Sequence, residues 1–92
     1  NITRDRLRGR DDMTRILEKL LRDHPAAVEA IGRRRFLRRL ARHHYRLARV
    51  RRERGDVATS RVHCARAVEL QPLHWRARLL QLTLPRAAQT RS

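Results

Sequence analysis

Two pairs of neighbouring side chains, His43–His44 and His63–Cys64, carry the groups in this sequence that could bind a metal ion. Imidazole and thiolate are both zinc ligands, and a structural zinc site usually has four of them. Successive residues on a helix point about 100° apart, so neither pair can hold an ion by itself. His44 and Cys64 could meet across a helical hairpin, where we expect a buried histidine beside a small apolar cysteine. The sequence therefore predicts no metal site and no cofactor.

Cys64 is the only cysteine, which excludes an internal disulfide and fits a reducing compartment such as the cytoplasm. A catalytic cysteine needs a histidine and an acid around it, and the spacing of the sequence indicates no such pair. We predict no catalytic residue in this chain.

Arginine is the residue type best suited to binding a partner. At about 100° per residue, six arginines fall on one side of the third predicted helix, opposite its apolar side. We call them the arginine stripe: Arg35, Arg38, Arg39, Arg42, Arg46 and Arg49. Guanidinium groups bind phosphate oxygens in pairs, and the formal net charge of +15 favours polyanionic partners. An anionic membrane surface or a polyanionic acceptor is the expected partner.

Nucleic acid fits the stripe less well, because no aromatic or polar base-reading side chain is interleaved with the arginines. Contacts with phosphate alone predict non-specific binding that weakens with salt. The alternative is a solvated helix face, since an arginine-rich chain with Lys19 as its only lysine is typical of a GC-rich genome.

Length and composition favour one small helical domain. The 92 residues are 40% hydrophobic, and three Gly and three Pro supply few turns for a many-stranded sheet. No apolar run approaches the ~18 residues that a membrane span needs. No secretory signal is visible, and because the chain starts at Asn1 rather than Met, the sequence does not decide whether it is a fragment of a longer protein.

The first part of the chain predicts two helices. Residues 1–10 lack periodicity and are expected to form a linker or extended lead-in. Asp11 or Asp12 then caps the first helix. Pro25 ends that helix and opens a short second one, which Gly32 ends. The first helix has an apolar stripe that we expect to be buried: Met13, Ile16, Leu17, Leu20 and Leu21.

Three further helices are predicted at 33–54, 57–70 and 74–84. Gly55 ends the third, Asp56 caps the fourth, and Pro72 ends the fourth. The third has an apolar side made of Phe36, Leu37, Leu40, Ala41, His44, Leu47 and Ala48. The fourth has a face of mostly small residues, Val57, Ser60, Cys64, Ala67 and Val68, and the fifth has Trp75, Leu79 and Leu82 in register.

We predict an all-α fold of four to five short helices, an antiparallel hairpin bundle forming one domain over 11–84, with a flexible tail at 85–92.

The hairpin at 41–72 resembles one tetratricopeptide (TPR) repeat. Aligned on its final proline, it matches the repeat pattern at Leu47, Ala48, Ser60, Ala67 and Pro72. It lacks the usual aromatic residues at His44, Arg51 and Cys64. The resemblance implies TPR-like packing by a degenerate copy. A single repeat cannot bury its own faces, so the flanking helices must cover them.

The order of segments along the whole chain resembles the C-terminal helical region of bacterial family-two glycosyltransferases. The matching segments are NITRD at 1–5, RILEKLLRDHP at 15–25, a basic helix, and the hairpin that ends in VHCARAVELQP at 62–72. In that family, an Asn-(Ile/Met/Leu)-(Ser/Thr)-Arg segment follows the catalytic domain, and an Ile-Leu-Glu-Lys-Leu-Leu helix comes next. The resemblance implies that the nucleotide-sugar-binding fold precedes Asn1.

This resemblance implies a non-catalytic module of a bacterial glycosyltransferase, used for packing or oligomerisation or for positioning at a membrane or polyanionic acceptor. The Asp-x-Asp motif of such enzymes is absent, since Asp11 and Asp12 are adjacent and are better explained by capping. The segment itself is then no enzyme, although its parent would be one. Expected partners are the parent's catalytic domain or another protein, a second copy of the chain, and an anionic membrane surface, in the cytoplasm at the periphery of the inner membrane. The alternative is a free-standing basic helical adaptor that binds protein or nucleic acid.

Overall fold

The computed structural model describes residues 2–84, and for residues 2–8 and Arg10 it describes the backbone alone. The described part of the chain forms five α-helices and no β-strand, so the all-α prediction is confirmed. The helices are α1 (Ile2–Asp23), α2 (Pro25–Ile31), α3 (Arg33–Glu53), α4 (Val57–Leu70) and α5 (Trp75–Thr83). The tail predicted at 85–92 lies outside the described residues.

The first helix begins earlier than the sequence predicted. It starts at Ile2, so residues 2–10 are helical, and the expectation of a linker was wrong for them. The segment contains no proline, and its arginines are good helix formers. Gly9 costs about 1 kcal/mol in a helix relative to alanine, which is too little to end one that continues on both sides.

Capping by aspartate was predicted correctly at one helix and wrongly at another. Asp56 caps α4, because its Oδ1 accepts a hydrogen bond from the backbone N–H of Thr59 at 3.2 Å. Asp11 and Asp12 lie inside α1 and cap nothing. The Asp11 carboxylate instead accepts from Nη2 of Arg51 on α3 at 3.1 Å.

The remaining helix ends follow local signals in the sequence. Gly32 and Gly55 have positive φ angles of 111° and 81°, which suit glycine and end α2 and α3. Pro25 opens α2. His74 precedes α5, and its Nδ1 accepts from the backbone N–H of Ala77 at 3.2 Å.

The centre of the fold is α3, which packs against all four other helices. It forms an antiparallel hairpin with α4: Ser60 donates to the Ala48 carbonyl at 2.7 Å, and Ala67 packs against Ala41. The expected packing sides of both helices are confirmed by burial. TPR-like packing of this hairpin stays a prediction. Near the other end of α3, Val28, Phe36 and Leu40 form a cluster against which α1 packs Leu17, Leu20 and Leu21.

Part of the predicted apolar stripe of α1 is exposed. Met13 and Ile16 face solvent, so their predicted burial was wrong. The helix instead turns the polar residues Thr14 and Glu18 toward the core, where Glu18 has charged and polar partners.

The helix α5 buries a different side from the one its large residues suggested. The fifth helix covers the hairpin, as expected, but Trp75, Leu79 and Leu82 are 62%, 52% and 82% exposed and do not form its buried side. The side that packs on α3 and α4 consists of Ala77, Leu80 and Leu84. Ala77 packs with Ala41 and Ala67, and all three are fully buried, so small side chains make this contact.

Candidate functional site

Four polar side chains from α1, α3 and α4 meet where α1 packs on the hairpin. We call them the polar cluster: Glu18, His44, His63 and Arg66. Nε2 of His44 lies 2.7 Å from Oε2 of Glu18. The guanidinium of Arg66 holds both carboxylate oxygens of Glu18, each at 2.7 Å. Nδ1 of His63 lies 2.9 Å from Nδ1 of His44. The cluster thus joins α1 to both arms of the hairpin.

The hydrogen bonds of the polar cluster determine where its protons lie. An ionised carboxylate only accepts hydrogen bonds, so His44 donates to Glu18 through Nε2–H. With both rings neutral, Nδ1 of His44 then accepts the Nδ1–H of His63. The hydrogen bonds from Arg66 hold the pKa of Glu18 below its usual value. Burial lowers the pKa of His44 and of His63, so both imidazoles are neutral at neutral pH.

A carboxylate that orients an imidazole is also the arrangement that prepares a general base for a nucleophile. Neither Cys64 nor Ser60 completes it here. Cys64 lies in an apolar cluster with Ala48, Leu80 and Leu84, and burial raises the pKa of its thiol. The Ser60 hydroxyl is bound to a backbone carbonyl. The polar cluster is therefore suited to joining helices, and its charge pairing satisfies groups that would otherwise be buried alone.

The metal-binding candidates of the sequence are not brought together. His44 meets His63 and Glu18, whereas Cys64 lies among apolar side chains. Among the side chains that the structure describes, no three of His, Cys, Asp or Glu are grouped so as to hold a metal ion. Sequence reasoning missed Glu18 and Arg66 altogether. The one available signal was the position of Glu18 beside the apolar stripe of α1, where a carboxylate needs a partner.

The arginine stripe lies on the outer side of α3, with all six side chains exposed. From Arg35 to Arg49 it extends about 20 Å along the helix. No carboxylate of the described residues lies within ion-pair distance of these six guanidinium groups, whereas Arg51 and Arg66, nearer the core, are paired. Arg49 lies over the Tyr45 ring, 5.9 Å from its centre. The charges of the stripe are therefore available to an external anion.

The exposed side of α5 adjoins these arginines. We call Trp75, Leu79 and Leu82 the α5 apolar face. Trp75 and Leu73 line one open groove together with Arg38 and Arg42. A second groove beside it is lined by Arg49, Arg52, Trp75 and Leu79, among others. The guanidinium of Arg76 lies over the indole of Trp75, 5.2 Å from the ring centre. Basic and apolar side chains thus form one continuous surface.

Over residues 2–84, no helix is both long and apolar enough to cross a membrane. Comparison of the chain with protein-family models, with curated proteins and with solved structures gave no match.

Proposed function

We propose that this chain is a non-catalytic helical module that binds a polyanionic surface through its arginine stripe. The observation that carries the proposal is the presence of six exposed arginines on one helix side with no carboxylate partner in the described structure. Guanidinium groups form charge-assisted, bidentate hydrogen bonds with phosphates and carboxylates, so such a row is suited to an extended anion.

The spacing of the stripe adds support. Arg35, Arg38, Arg39, Arg42 and Arg46 are three or four residues apart, so neighbouring charges repel on the helix surface. Each such pair costs a few tenths of a kcal/mol, about as much as an opposite pair would contribute. A bound polyanion would remove this repulsion, and binding would release counterions from both surfaces.

We place this module at the C-terminal end of a bacterial family-two glycosyltransferase. The support is the order of segments in the sequence, from NITRD through RILEKLLRDHP to the hairpin that ends at Pro72. In such an enzyme the module would pack on the catalytic domain or on a second copy and position it at a membrane or polyanionic acceptor. The coding sequence upstream of Asn1 tests this. A reading frame of ~200 or more residues with an Asp-x-Asp motif supports it, and a start codon just before Asn1 contradicts it.

Binding to inorganic polyphosphate tests the stripe. We expect the triple variant Arg38→Gln, Arg42→Gln, Arg46→Gln to bind at least about tenfold more weakly, with a smaller dependence on salt. The matched control removes three charges elsewhere, as Arg15→Gln, Lys19→Gln, Arg54→Gln, and all three of these residues are exposed outside the stripe. Equal losses in the two variants would show that net charge alone drives binding and would contradict the proposal.

A further inference from the structure

The geometry points to an anionic phospholipid bilayer as the surface that this module binds: we infer that the α5 apolar face and Leu73 insert among the lipids while the adjoining arginines hold the headgroups. This inference rests on the proposed function, since it takes the stripe to bind anions. It adds the partner and assigns a role to a second set of residues.

No other helix of the described residues packs on the α5 apolar face. Trp75, Leu79 and Leu82 are spaced i, i+4 and i+7, so they share one helix side, and the core is on the other. Leu73, just before the helix, is 88% exposed. Single exposed apolar residues are ordinary, but four in one short segment form a patch that water solvates poorly.

The position of this patch beside the basic residues indicates what covers it. Arg38 and Arg42 share one groove with Trp75, and Arg49 and Arg52 share the next. Amphipathic surfaces that lie in the membrane interface combine apolar side chains with arginines that reach phosphate headgroups. Tryptophan is enriched at the level of the headgroups. A bilayer with anionic lipids offers both kinds of partner side by side, and the net charge of +15 is complementary to it.

Nucleic acid fits the same surface less completely. The Trp75 indole could stack on a base, but Leu73, Leu79 and Leu82 have no apolar partner on a phosphate backbone. The helix α5 has nine residues, and we place it along the plane of the membrane with its apolar face toward the lipid chains.

Trp75 is the only tryptophan of the chain, so its fluorescence reports on this surface alone. The probes are vesicles of phosphatidylglycerol and phosphatidylcholine, vesicles of phosphatidylcholine alone, and inorganic polyphosphate. With the anionic vesicles we expect a blue shift of the emission, protection from acrylamide and quenching by brominated lipid chains. Binding of polyphosphate should leave the Trp75 emission unshifted. Vesicles of phosphatidylcholine alone should bind the chain at least about tenfold more weakly than the anionic vesicles do.

The double variant Leu79→Ser, Leu82→Ser separates insertion from charge attraction. Both residues are exposed, so the fold should be retained, and circular dichroism checks this. We expect it to bind anionic vesicles at least about tenfold more weakly and polyphosphate as before. The matched control is Ile16→Ser, Val62→Ser, which changes two exposed apolar residues on α1 and α4 and should bind both like the unchanged chain.

The outcomes distinguish this inference from the proposed function. If the chain sediments with anionic vesicles but Trp75 emission does not shift, or if the double variant binds as well as the parent, the inference is wrong and the arginine stripe is sufficient. If polyphosphate shifts the emission as much as the vesicles do, the partner is a soluble polyanion and the inference is again wrong. If the chain binds neither vesicles nor polyphosphate, the proposed function itself is wrong.

Discussion

The Nδ1 atoms of His44 and His63 lie 2.9 Å apart across the hairpin, although the two residues are 19 positions apart in the chain. One hydrogen can lie between two nitrogens at this distance, so the two imidazoles cannot both be protonated without losing the contact. His44 is in addition tied to Glu18 on α1. Contact among three helices thus depends on two imidazoles that have to stay neutral for the hydrogen bond between them to persist.

We expect the free energy of unfolding to fall as the pH drops below about 6.5. Burial lowers the pKa of His44 and of His63 in the folded chain, so below the ordinary histidine value the unfolded chain binds more protons. The stability that neutral imidazoles provide is complete above that value and is lost as the pH falls toward the folded-state pKa. Glu18, whose pKa Arg66 lowers, adds a loss in the more acidic range.

Urea unfolding between about pH 7.5 and pH 5 measures this dependence. The variant His63→Gln should show a smaller decline than the parent, because the half-buried imidazole of His63 is gone. His24 is exposed, so His24→Gln should follow the parent's profile. A parent whose stability is constant over this range would contradict the prediction.

Glu18→Gln should lower the free energy of unfolding by about 2 kcal/mol. The amide cannot provide the two charge-assisted acceptors for Arg66, and it weakens the hydrogen bond from His44. Glu69→Gln is the matched control, since Glu69 is largely exposed and its oxygen lies 3.7 Å from the same arginine. We expect that variant to stay within about 0.5 kcal/mol of the parent in chemical unfolding. Equal effects of the two substitutions would refute the importance of the polar cluster.

Gly9→Ala should increase stability by about 0.5–1 kcal/mol. Gly9 lies inside α1, and a Cβ added there would meet no heavy atom within 4 Å. The substitution therefore removes backbone freedom from the unfolded chain without a steric cost. Thermal unfolding followed by circular dichroism measures the gain. Gly55→Ala, at a φ of 81°, should instead lose stability by about 1–2 kcal/mol. A loss at both positions would contradict the early start of α1.

Cys64 should react with a thiol reagent only after the chain opens. Its side chain is fully buried beside Ala48, Leu80 and Leu84, and burial raises the pKa of its thiol. The native chain should be modified at least ~100-fold more slowly than the chain in denaturant. Equal rates in buffer and in urea would show that α5 does not cover this cysteine.

The local features of the sequence predicted the helix ends well. Gly32, Gly55 and Asp56 act through their own backbone or through a neighbour a few residues away. Their effect can therefore be predicted from a short stretch of sequence. The packing side of α3 was equally clear, because apolar residues and arginines separate there. The packing side of α4 was marked instead by its small residues. The start of α1 is the exception, because residues 2–10 lack the apolar periodicity on which the prediction of a helix relied.

The polar cluster could not be predicted from such windows. Glu18 is 26 positions from His44 and 48 from Arg66, and only the packing of α1 on the hairpin brings them together. The buried side of α5 could not be predicted for another reason. Both sides of that helix carry apolar residues, and the choice between them depends on how closely α3 and α4 approach.

The contact among Ala41, Ala67 and Ala77 has a mechanical consequence. All three are fully buried, and none has an atom beyond Cβ that could swing aside. A larger residue at any of these positions has to push the backbones apart, and a rigid helix of nine residues carries such a displacement straight through to its other side. The methyl groups of these three alanines have no contact with water, and their packing therefore determines the position and orientation of Trp75 on the surface.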